Sequence, residues 1–582
     1  MMKKVLQLIS FLVIVEFANA QTFDWAFKLK TDGLGSDMLL DNSGNLIIIG
    51  YINDTMDLDP GPDTFNLSGN GNRNVLVAKY SPIGNFINAF TLNGVSVGFG
   101  TSIKITQSND ILIGGMYYDS VDFDPGAGTQ ILDAEFGGAF ILKLDSIFNF
   151  IWVKSFDQNT QGNGGTSPLI EIDDFGNIYC TAYFRGTFDF DPGPLVYNLS
   201  SITYSQLLLE LDSTGSFIWA KAVSGSDPIT PFNIYLDNEN NIYTSGSFLG
   251  TIDFDPDTGI YNLSVNPNTI QWSDNDVFVS KYDSIGSFIW AKSFGGKEHD
   301  WNTEMKIDGG KYLLLVGGFN DTVDFDPGPG IFNLQVDSAA LWNQSDSYIL
   351  KLDTAGNFIW AKQFKKKVSG PPSITYSFIR TLIIDSLQNI IVGGGFRGDS
   401  TDFDPGPSDY YLTPAGSDFY FVVLDSSGNF ISANRIGNSS CGAGLVNAIN
   451  GAYGNYLFCG DFWGGSIDFD FGPSNYVLTS DSSYASFFLL SVNYLNTGYS
   501  ENMNLTDNNI LVFPNPYITS LTVKSTTQKG ELIIFDVTGK EILRTKTFNE
   551  ETKINTAHLT PGFYFINYRE ENRSVNKKVV KL

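Results

Sequence analysis

Histidine and cysteine are nearly absent from this chain. Two histidines, His299 and His558, and three cysteines, Cys180, Cys441 and Cys459, occur in 582 residues. Three cysteines cannot build a disulfide framework for a chain of this length, and none lies in a C-x-x-C or Cys/His spacing that would hold zinc. One bridge is available, since Cys441 and Cys459 are close enough to share a repeat; otherwise all three read as small apolar residues. Charge is sparse at 17% of residues, and basic charge sparser, with 35 Lys and Arg against 63 Asp and Glu for a net charge of −28. No G-x-S-x-G, P-loop or H-E-x-x-H pattern occurs, which removes the nucleophile-elbow hydrolases, the P-loop nucleotidases and the zincins. Beyond the N-terminus no apolar run approaches 18 residues, so no transmembrane helix is expected in the mature chain.

The N-terminus itself has a basic start (Lys3, Lys4), an apolar run from Val5 to Val15, and the small-residue exit Ala18-Asn19-Ala20. That order is a secretory signal peptide over residues 1–20, with cleavage after Ala20. Charge then divides the rest. From Asn508 to Leu582 there are 11 Lys/Arg and 7 Asp/Glu, while the middle of the chain holds 22 basic and 55 acidic residues, a balance of −33. Such a field repels nucleic acid and anionic membranes, and it keeps an extracellular protein soluble.

What the chain has in quantity is glycine (59), aromatic residues (14%) and turn chemistry. Asp-x-Asp recurs, usually as Asp-Phe-Asp-Pro-Gly, with its first aspartate at Asp57, Asp122, Asp189, Asp253, Asp324, Asp402 and Asp468. The intervals are 65, 67, 64, 71, 78 and 66 residues. After each comes an apolar strand such as Ala139 to Leu144, a turn such as Asp353 to Asn357, and a short aromatic strand such as Phe217-Ile-Trp-Ala-Lys221. Around Asp253 the unit reads as four strands: Phe232 to Leu236, Ile242 to Phe248, Val277 to Tyr282 and Phe288 to Lys292. Branched and aromatic runs with Asn/Gly/Asp turns at short intervals give no helical period. Seven antiparallel four-stranded units predict a β-propeller. The seventh unit has no aromatic fourth strand after Phe487 to Val492, but Phe23-Asp-Trp-Ala-Phe27 at the mature N-terminus matches one. A ring needs that offset to close; an open solenoid does not.

On these markers residues 22–495 resemble the secreted bacterial β-propeller repeat family. The resemblance implies a fold and no particular activity. The units lack the Trp-Asp dipeptide of WD40 repeats, and their turns depart from the Asp-to-Gly spacing of sialidase Asp boxes. After a polar linker at 496–509 the chain changes character: Val512-Phe-Pro-Asn-Pro516, Ile534-Phe-Asp-Val-Thr-Gly-Lys540, Leu559-Thr-Pro-Gly-Phe-Tyr-Phe565 and Lys577-Lys-Val-Val-Lys-Leu582. Residues 510–582 thereby resemble the C-terminal sorting domain of proteins exported by the Bacteroidetes type IX secretion system. That resemblance implies a small Ig-like β-sandwich recognised by the outer-membrane machinery and removed after transit. It assigns the sorting motif to Pro514, Asn515, Pro516, Asp536, Gly539, Lys540, Gly562, Tyr564, Lys577 and Lys578. The predicted fold class is therefore all-β: a signal peptide (1–20), a seven-bladed β-propeller closed by an N-terminal strand (21–495), a linker (496–509) and a sandwich (510–582). The location expected is secreted or at the outer cell surface, by way of the periplasm.

No catalytic set emerges. In each Asp-x-Asp, strand alternation puts both carboxylates on one face and the Phe on the other. Calcium favours such oxygens, but the loops lack a dense ligand pattern, and aspartates followed by Pro-Gly serve a turn equally well. No cofactor is assigned, with calcium the one candidate. A catalytic carboxylate pair should occur once, whereas these recur in every unit. Function is better sought in asymmetry. The step from the first Asp to the third strand is 24 residues in units 4 and 5, against 17 or 18 elsewhere. Those insertions carry Trp272 and Trp342. Neighbouring loops carry His299, Trp301, and the run Lys365 to Lys367 with Pro371 and Pro372. Aromatics on loops over a rigid scaffold suit a binding site for a glycan or protein ligand, or they anchor the longer loops themselves. Triplets such as Asp54-Thr-Met56 and Asp321-Thr-Val323 also resemble the O-glycosylation acceptors of Bacteroidetes, though turns produce the same triplets. The expected function is a secreted binding module; the alternatives are a glycan-processing enzyme using carboxylates and a purely structural surface protein.

Overall fold

The computed structural model describes residues 21–30, 35–69, 73–94, 98–157, 164–165, 168–265, 275–336, 345–367, 376–452, 454–472, 474–481, 485–494, 510–513, 520–525, 530–536, 540–547, 551–559, 562–570 and 573–581. Residues 1–20, Trp272, Trp342, Pro371, Pro372, the linker 496–509, Pro514, Asn515, Pro516 and Gly539 lie outside the described residues. Every helix or strand element among the described residues is a strand. They fall into two compact units, one spanning Asn19–Leu495 and one containing Asn496–Leu582.

The unit around Asp253 shows how the larger part is built. Its strands are Ile229–Leu236, Ile242–Phe248, Asp276–Tyr282 and Phe288–Phe294, antiparallel and adjacent in chain order. Residues 242–248 are buried along their whole length, because the strand is covered on both faces by neighbouring sheets; that is why it reads as a continuous rather than an alternating run. The turn into it is tied by Asp237, whose Oδ1 accepts the N–H groups of Glu239 (3.0 Å) and Asn241 (2.9 Å). The last strand lies at the outer edge, with Ala291 buried and Ile289 45% exposed.

Equivalent sheets precede and follow it. Their first strands are Gly35–Leu40, Gly98–Ile105, Leu169–Ile172, Ile229–Leu236, Trp301–Asp308, Tyr376–Ile384 and Gly442–Asn450. Each packs against the first strand of the next sheet, and Gly442–Asn450 packs against Gly35–Leu40. The final sheet of the series takes its fourth strand from the other end of the chain: Gln21–Lys30 pairs antiparallel with Ser486–Tyr494. Phe23 to Phe27 lies inside that strand, and Lys28 Nζ reaches Asp481 at 3.2 Å.

The cores lie between successive sheets. One cluster joins Tyr243, Val277, Val279 and Phe294 of the Asp253 unit to Met305, Leu313, Tyr348 and Leu350 of the next. Another joins Leu457, Cys459, Phe487 and Leu489 to Phe27, Leu29, Met38 and Ile48. Each fully buried Phe or Leu contributes about 1.5–3 kcal/mol over the exposed state, so sheet-to-sheet contact stabilises the array. All three cysteines are free and buried, and burial pushes the thiols of Cys180 and Cys459 up.

In the smaller unit, Ile510–Phe513, Ser520–Ser525 and Glu551–Asn555 form one sheet. Gly530–Asp536, Glu541–Thr547, Gly562–Glu570 and Arg573–Lys581 form another. Leu521 and Val523 of the first share a core with Leu532, Ile534, Tyr564 and Ile566 of the second. Asp536, Gly562, Tyr564, Lys577 and Lys578 lie on strands of the second sheet, and Lys540 directly precedes Glu541–Thr547.

Candidate functional site

The Asp-x-Asp loops are tied by hydrogen bonds that account for their recurrence. Asp253 Oδ1 accepts the N–H groups of Asp255 (3.2 Å) and Tyr261 (2.7 Å), and Asp255 Oδ1 accepts that of Asp257 (3.0 Å). The first aspartate makes the same two bonds at Asp57, Asp122, Asp189, Asp324, Asp402 and Asp468. The residue between the carboxylates points inward, and Phe254, Phe325 and Phe403 are fully buried. Asp468 keeps the pattern although Phe471 replaces the proline, so the carboxylate rather than the proline closes the turn. Among the described residues no group of three or more His, Cys, Asp or Glu side chains is arranged to hold a metal ion.

His299 and Trp301 come together. Their rings stack with centroids 5.3 Å apart and 19° between planes. Trp301 opens its strand lying on Gly318, where any Cβ would run into the indole; glycine is what lets the ring lie flat on the neighbouring strand. The loop before it is held by Asp300, a residue the sequence did not single out. Its Oδ2 accepts the Gly296 N–H at 2.6 Å and its Oδ1 the Asn320 N–H at 3.1 Å. Burial, with Asp276 and Asp321 nearby, pushes its carboxyl well above the usual range despite those donors.

The next sheet repeats the device. Tyr376 and Phe378 stack at 5.3 Å and 29°, Phe378 lies on Gly395, and the Arg380 guanidinium sits 5.3 Å from the Phe378 ring. In the final sheet Trp463 lies on Gly442 and stays 43% exposed. The sequence missed these because the aromatic and its glycine are on different strands.

The run Lys365 to Lys367 is not a loop patch. Lys365 and Lys366 continue the strand Phe358–Lys366 and pair with Asp402 and Thr401. Lys366 is buried; desolvation pulls its ammonium down against the opposing fields of Asp346 and Asp399. Lys367 lies 5.1 Å from the Tyr411 ring. Strand pairing turns alternate lysines to opposite faces, which disperses the charge.

On the inner strands a second set of side chains links each sheet to the next. Asp37 Oδ2 accepts the Ile103 N–H (3.0 Å), Ser102 Oγ the Ile170 N–H (3.2 Å), Asn233 Oδ1 the Met305 N–H (3.3 Å) and Glu304 Oε2 the Leu382 N–H (2.6 Å). These four occupy the same place in their strands, and each satisfies an edge N–H that would otherwise have no strand partner. Around them Lys104 pairs with Glu171, and Lys306 with Glu304 at 2.8 Å. Burial raises the Asp37 carboxyl, opposed by Lys104 and by the N–H groups of Ile103 and Met38.

Comparison with known proteins bears on the two units differently. A family described as "Secretion system C-terminal sorting domain" matches residues 511–582. An uncharacterized WD repeat-containing protein of Acanthamoeba polyphaga mimivirus is 22% identical over 502 residues, covering 74% of this chain and 35% of the relative; the chain thus spans about a third of the length of the curated relative it matches. PorZ, described as an essential bacterial surface component of the type IX secretion system of Porphyromonas gingivalis, is 9% identical and covers 96% of this chain and 100% of its own, with a TM-score of 0.24. A protein of unknown function from Dyadobacter fermentans is 8% identical over 81% of this chain and 99% of its own, with a TM-score of 0.33. Neither superposition is close enough to carry a conclusion. Among the described residues no helix is long and apolar enough to cross a membrane. The C-terminal unit is a secretion sorting domain, and the chain is exported by type IX secretion to the outside of the cell, secreted or at the outer surface.

Proposed function

We propose that the mature protein is a seven-bladed propeller, closed by its own N-terminal strand, that binds a glycan or protein ligand on the face bearing the Asp-x-Asp and fourth-to-first-strand loops. Closure is supported by the pairing of Gln21–Lys30 with Ser486–Tyr494 and by the packing of Gly442–Asn450 on Gly35–Leu40. On this reading residues 1–20 are removed as a signal peptide, and 510–582, an Ig-like sandwich, engages the type IX machinery through the motif residues named above.

The observation that carries the binding role is the repeated aromatic stack. His299 on Trp301 and Tyr376 on Phe378 occupy equivalent places in neighbouring sheets. Rigid, half-exposed rings are low-entropy contact surfaces. The inner carboxylates are already engaged: Glu171 with Lys104, Glu304 with Lys306 and the Leu382 N–H, and Asp37 with the Ile103 N–H. That favours a binding module over a carboxylate-pair hydrolase, which needs one free acid and one free base.

The test is a glycan and protein array probed with the secreted protein, with and without calcium, followed by Trp301→Ala, Trp272→Ala and Trp342→Ala. Loss of a hit by at least about ten-fold, or about 1.4 kcal/mol, with an unchanged Tm supports the site. Wild-type binding in all three variants removes it.

A further inference from the structure

Cleavage after Ala20 leaves Gln21 at the N-terminus, where it opens the strand Gln21–Lys30 with its backbone paired to Tyr494. Its side-chain amide is held from one side only. Asn434 Nδ2, on the fourth strand of the preceding sheet, donates to Gln21 Oε1. Gln21 Nε2 is buried and meets no acceptor among the described residues. An amide nitrogen carries two donors, and a buried donor left without an acceptor is costly.

The surroundings of that amide differ from the same place in other sheets. Four outer strands carry Phe-Ile-Trp followed two residues on by lysine, as at Trp290 and Lys292. Register puts Ser432 where Trp290 stands and Asn434 where Lys292 stands. Trp290 lies on Gly356, in the third-to-fourth-strand turn of the following sheet. The final sheet has no such turn, because its fourth strand comes from the N-terminus. A tryptophan at 432 would have no such glycine to lie on, and the adjoining Asn434 meets Gln21 instead. A lysine at 434 would bring a second positive charge to the end of the chain; asparagine brings a neutral donor that fits a carbonyl.

We propose that Gln21 is a modification site: in the folded chain it closes to pyroglutamate, with Asn434 as the residue that positions it. The α-amine nitrogen attacks Cδ, the Cδ–Nε2 bond breaks, and the amide nitrogen leaves as ammonia with one hydrogen from the amine. Nothing is oxidised or reduced, and no co-reactant is consumed. An α-amine with a pKa of about 7.7–8.0 is partly neutral, and so nucleophilic, near neutral pH. Negative charge develops on Oε1 as the new bond forms, and the Asn434 amide already donates to that oxygen. The reaction expels the stranded Nε2, keeps the oxygen that Asn434 binds as the lactam carbonyl, and removes the terminal charge. The inference rests on the cleavage after Ala20 proposed above and concerns the chain end, not the loop aromatics.

The experiment has two arms. In the first, the secreted protein is digested and its N-terminal peptide sequenced by mass spectrometry. An isotope-labelled peptide of residues 21–30 goes through the same work-up to measure closure during handling. The protein's peptide should begin at residue 21 and be one ammonia lighter than its sequence, while the labelled standard stays largely open. A free amine on Gln21 overturns the inference and leaves the cleavage reading standing. A terminus at any other residue fails the cleavage reading, and the inference with it. In the second arm, the chain 21–582 is released from an N-terminal extension by enteropeptidase and its intact mass is followed with time. The folded protein should close at least about ten-fold faster than the free peptide, and Asn434→Leu should fall to the peptide rate with an unchanged Tm. Should Asn434→Leu lower the Tm, Asn434→Asp, which keeps the size and loses the donor, carries the arm. Closure of the wild type no faster than the peptide, or equal rates in the wild type and the folded variant, overturns the proposal.

Discussion

Asn447 Nδ2 donates to Asp37 Oδ1 at 2.9 Å, across 410 residues of sequence. The bond ties the inner strand of the last sheet to that of the first, while the other oxygen of Asp37 takes the Ile103 N–H of the second. One carboxylate therefore links three sheets. Asp37→Ala leaves three donors without an acceptor, the Asn447 amide and the N–H groups of Ile103 and Met38, and at about 1–3 kcal/mol for each buried donor stranded the expected loss is at least about 3 kcal/mol in denaturant unfolding. Asp37→Asn should cost less than half of that. Equal, small effects for the two variants would show that the link is not structural.

Lys28 Nζ and Asp481 Oδ1 lie 3.2 Å apart on elements from opposite ends of the larger unit. Zero-length carbodiimide coupling should join them, and mass spectrometry of the digest should recover the linked peptides. Deletion of residues 21–30 exposes the edge of Ser486–Tyr494, a free template for pairing with other chains. The truncated protein should aggregate and lose several degrees in Tm. A monomeric truncation with wild-type Tm would refute closure by this strand.

The Asp-x-Asp loops should behave as turns. Asp324→Ala removes the acceptor of two N–H groups, those of Asp326 and Phe332, and is expected to cost about 2 kcal/mol. Asp324→Asn retains a carbonyl oxygen and should cost about half as much. Chelation should leave the Tm unchanged; a Tm that rises with added calcium and falls with chelator would replace the turn account with a metal account.

Asp461 supplies a pH test. Burial pushes its carboxyl from the usual value near 3.8 to about 7. The folded state therefore holds a proton that the unfolded state has released between about pH 4 and pH 7. In that window stability falls as pH rises; above pH 7 the penalty is complete and the slope ends. At about 1.4 kcal/mol for each pH step, discounted because Asp461 is not fully enclosed, the loss across the window is about 2 kcal/mol. Asp461→Asn should remove that slope and be the more stable protein at pH 8. Parallel pH profiles for the two proteins would rule it out.

Much of this architecture is legible before folding, because it is local. The turn at Asp353 and the loop at Asp324 are made by residues within eight positions of each other, so residue type at fixed spacing reports them. The strand Ile242–Phe248 has the bounds read from the sequence, and Phe288–Phe294 runs two residues past the Lys292 at which the sequence reading ended it. The inner links were not legible. Asp37, Ser102, Asn233 and Glu304 do one job with four different side chains, and their partners lie 66, 68, 72 and 78 residues away. An acceptor is all that the site requires, so no motif marks it.

The site residues divide in the same way. Trp301 and His299 stood out as aromatic residues on a loop, but the glycine beneath Trp301 is on the following strand, and Asp300 gained meaning only when its carboxylate was seen holding Gly296 and Asn320. Lys365 to Lys367 read as a basic run on a loop, whereas strand pairing draws Lys366 inside. By itself the sequence determined the export address, the repeat and the four-strand unit, since each is written in short-range order. Only the tertiary structure decided which inner side chains meet and where charge is neutralised. Those are relations between sheets, brought together by folding across 66 to 78 residues at a time and, at Asn447 and Asp37, across 410, and one-dimensional order carries no record of them.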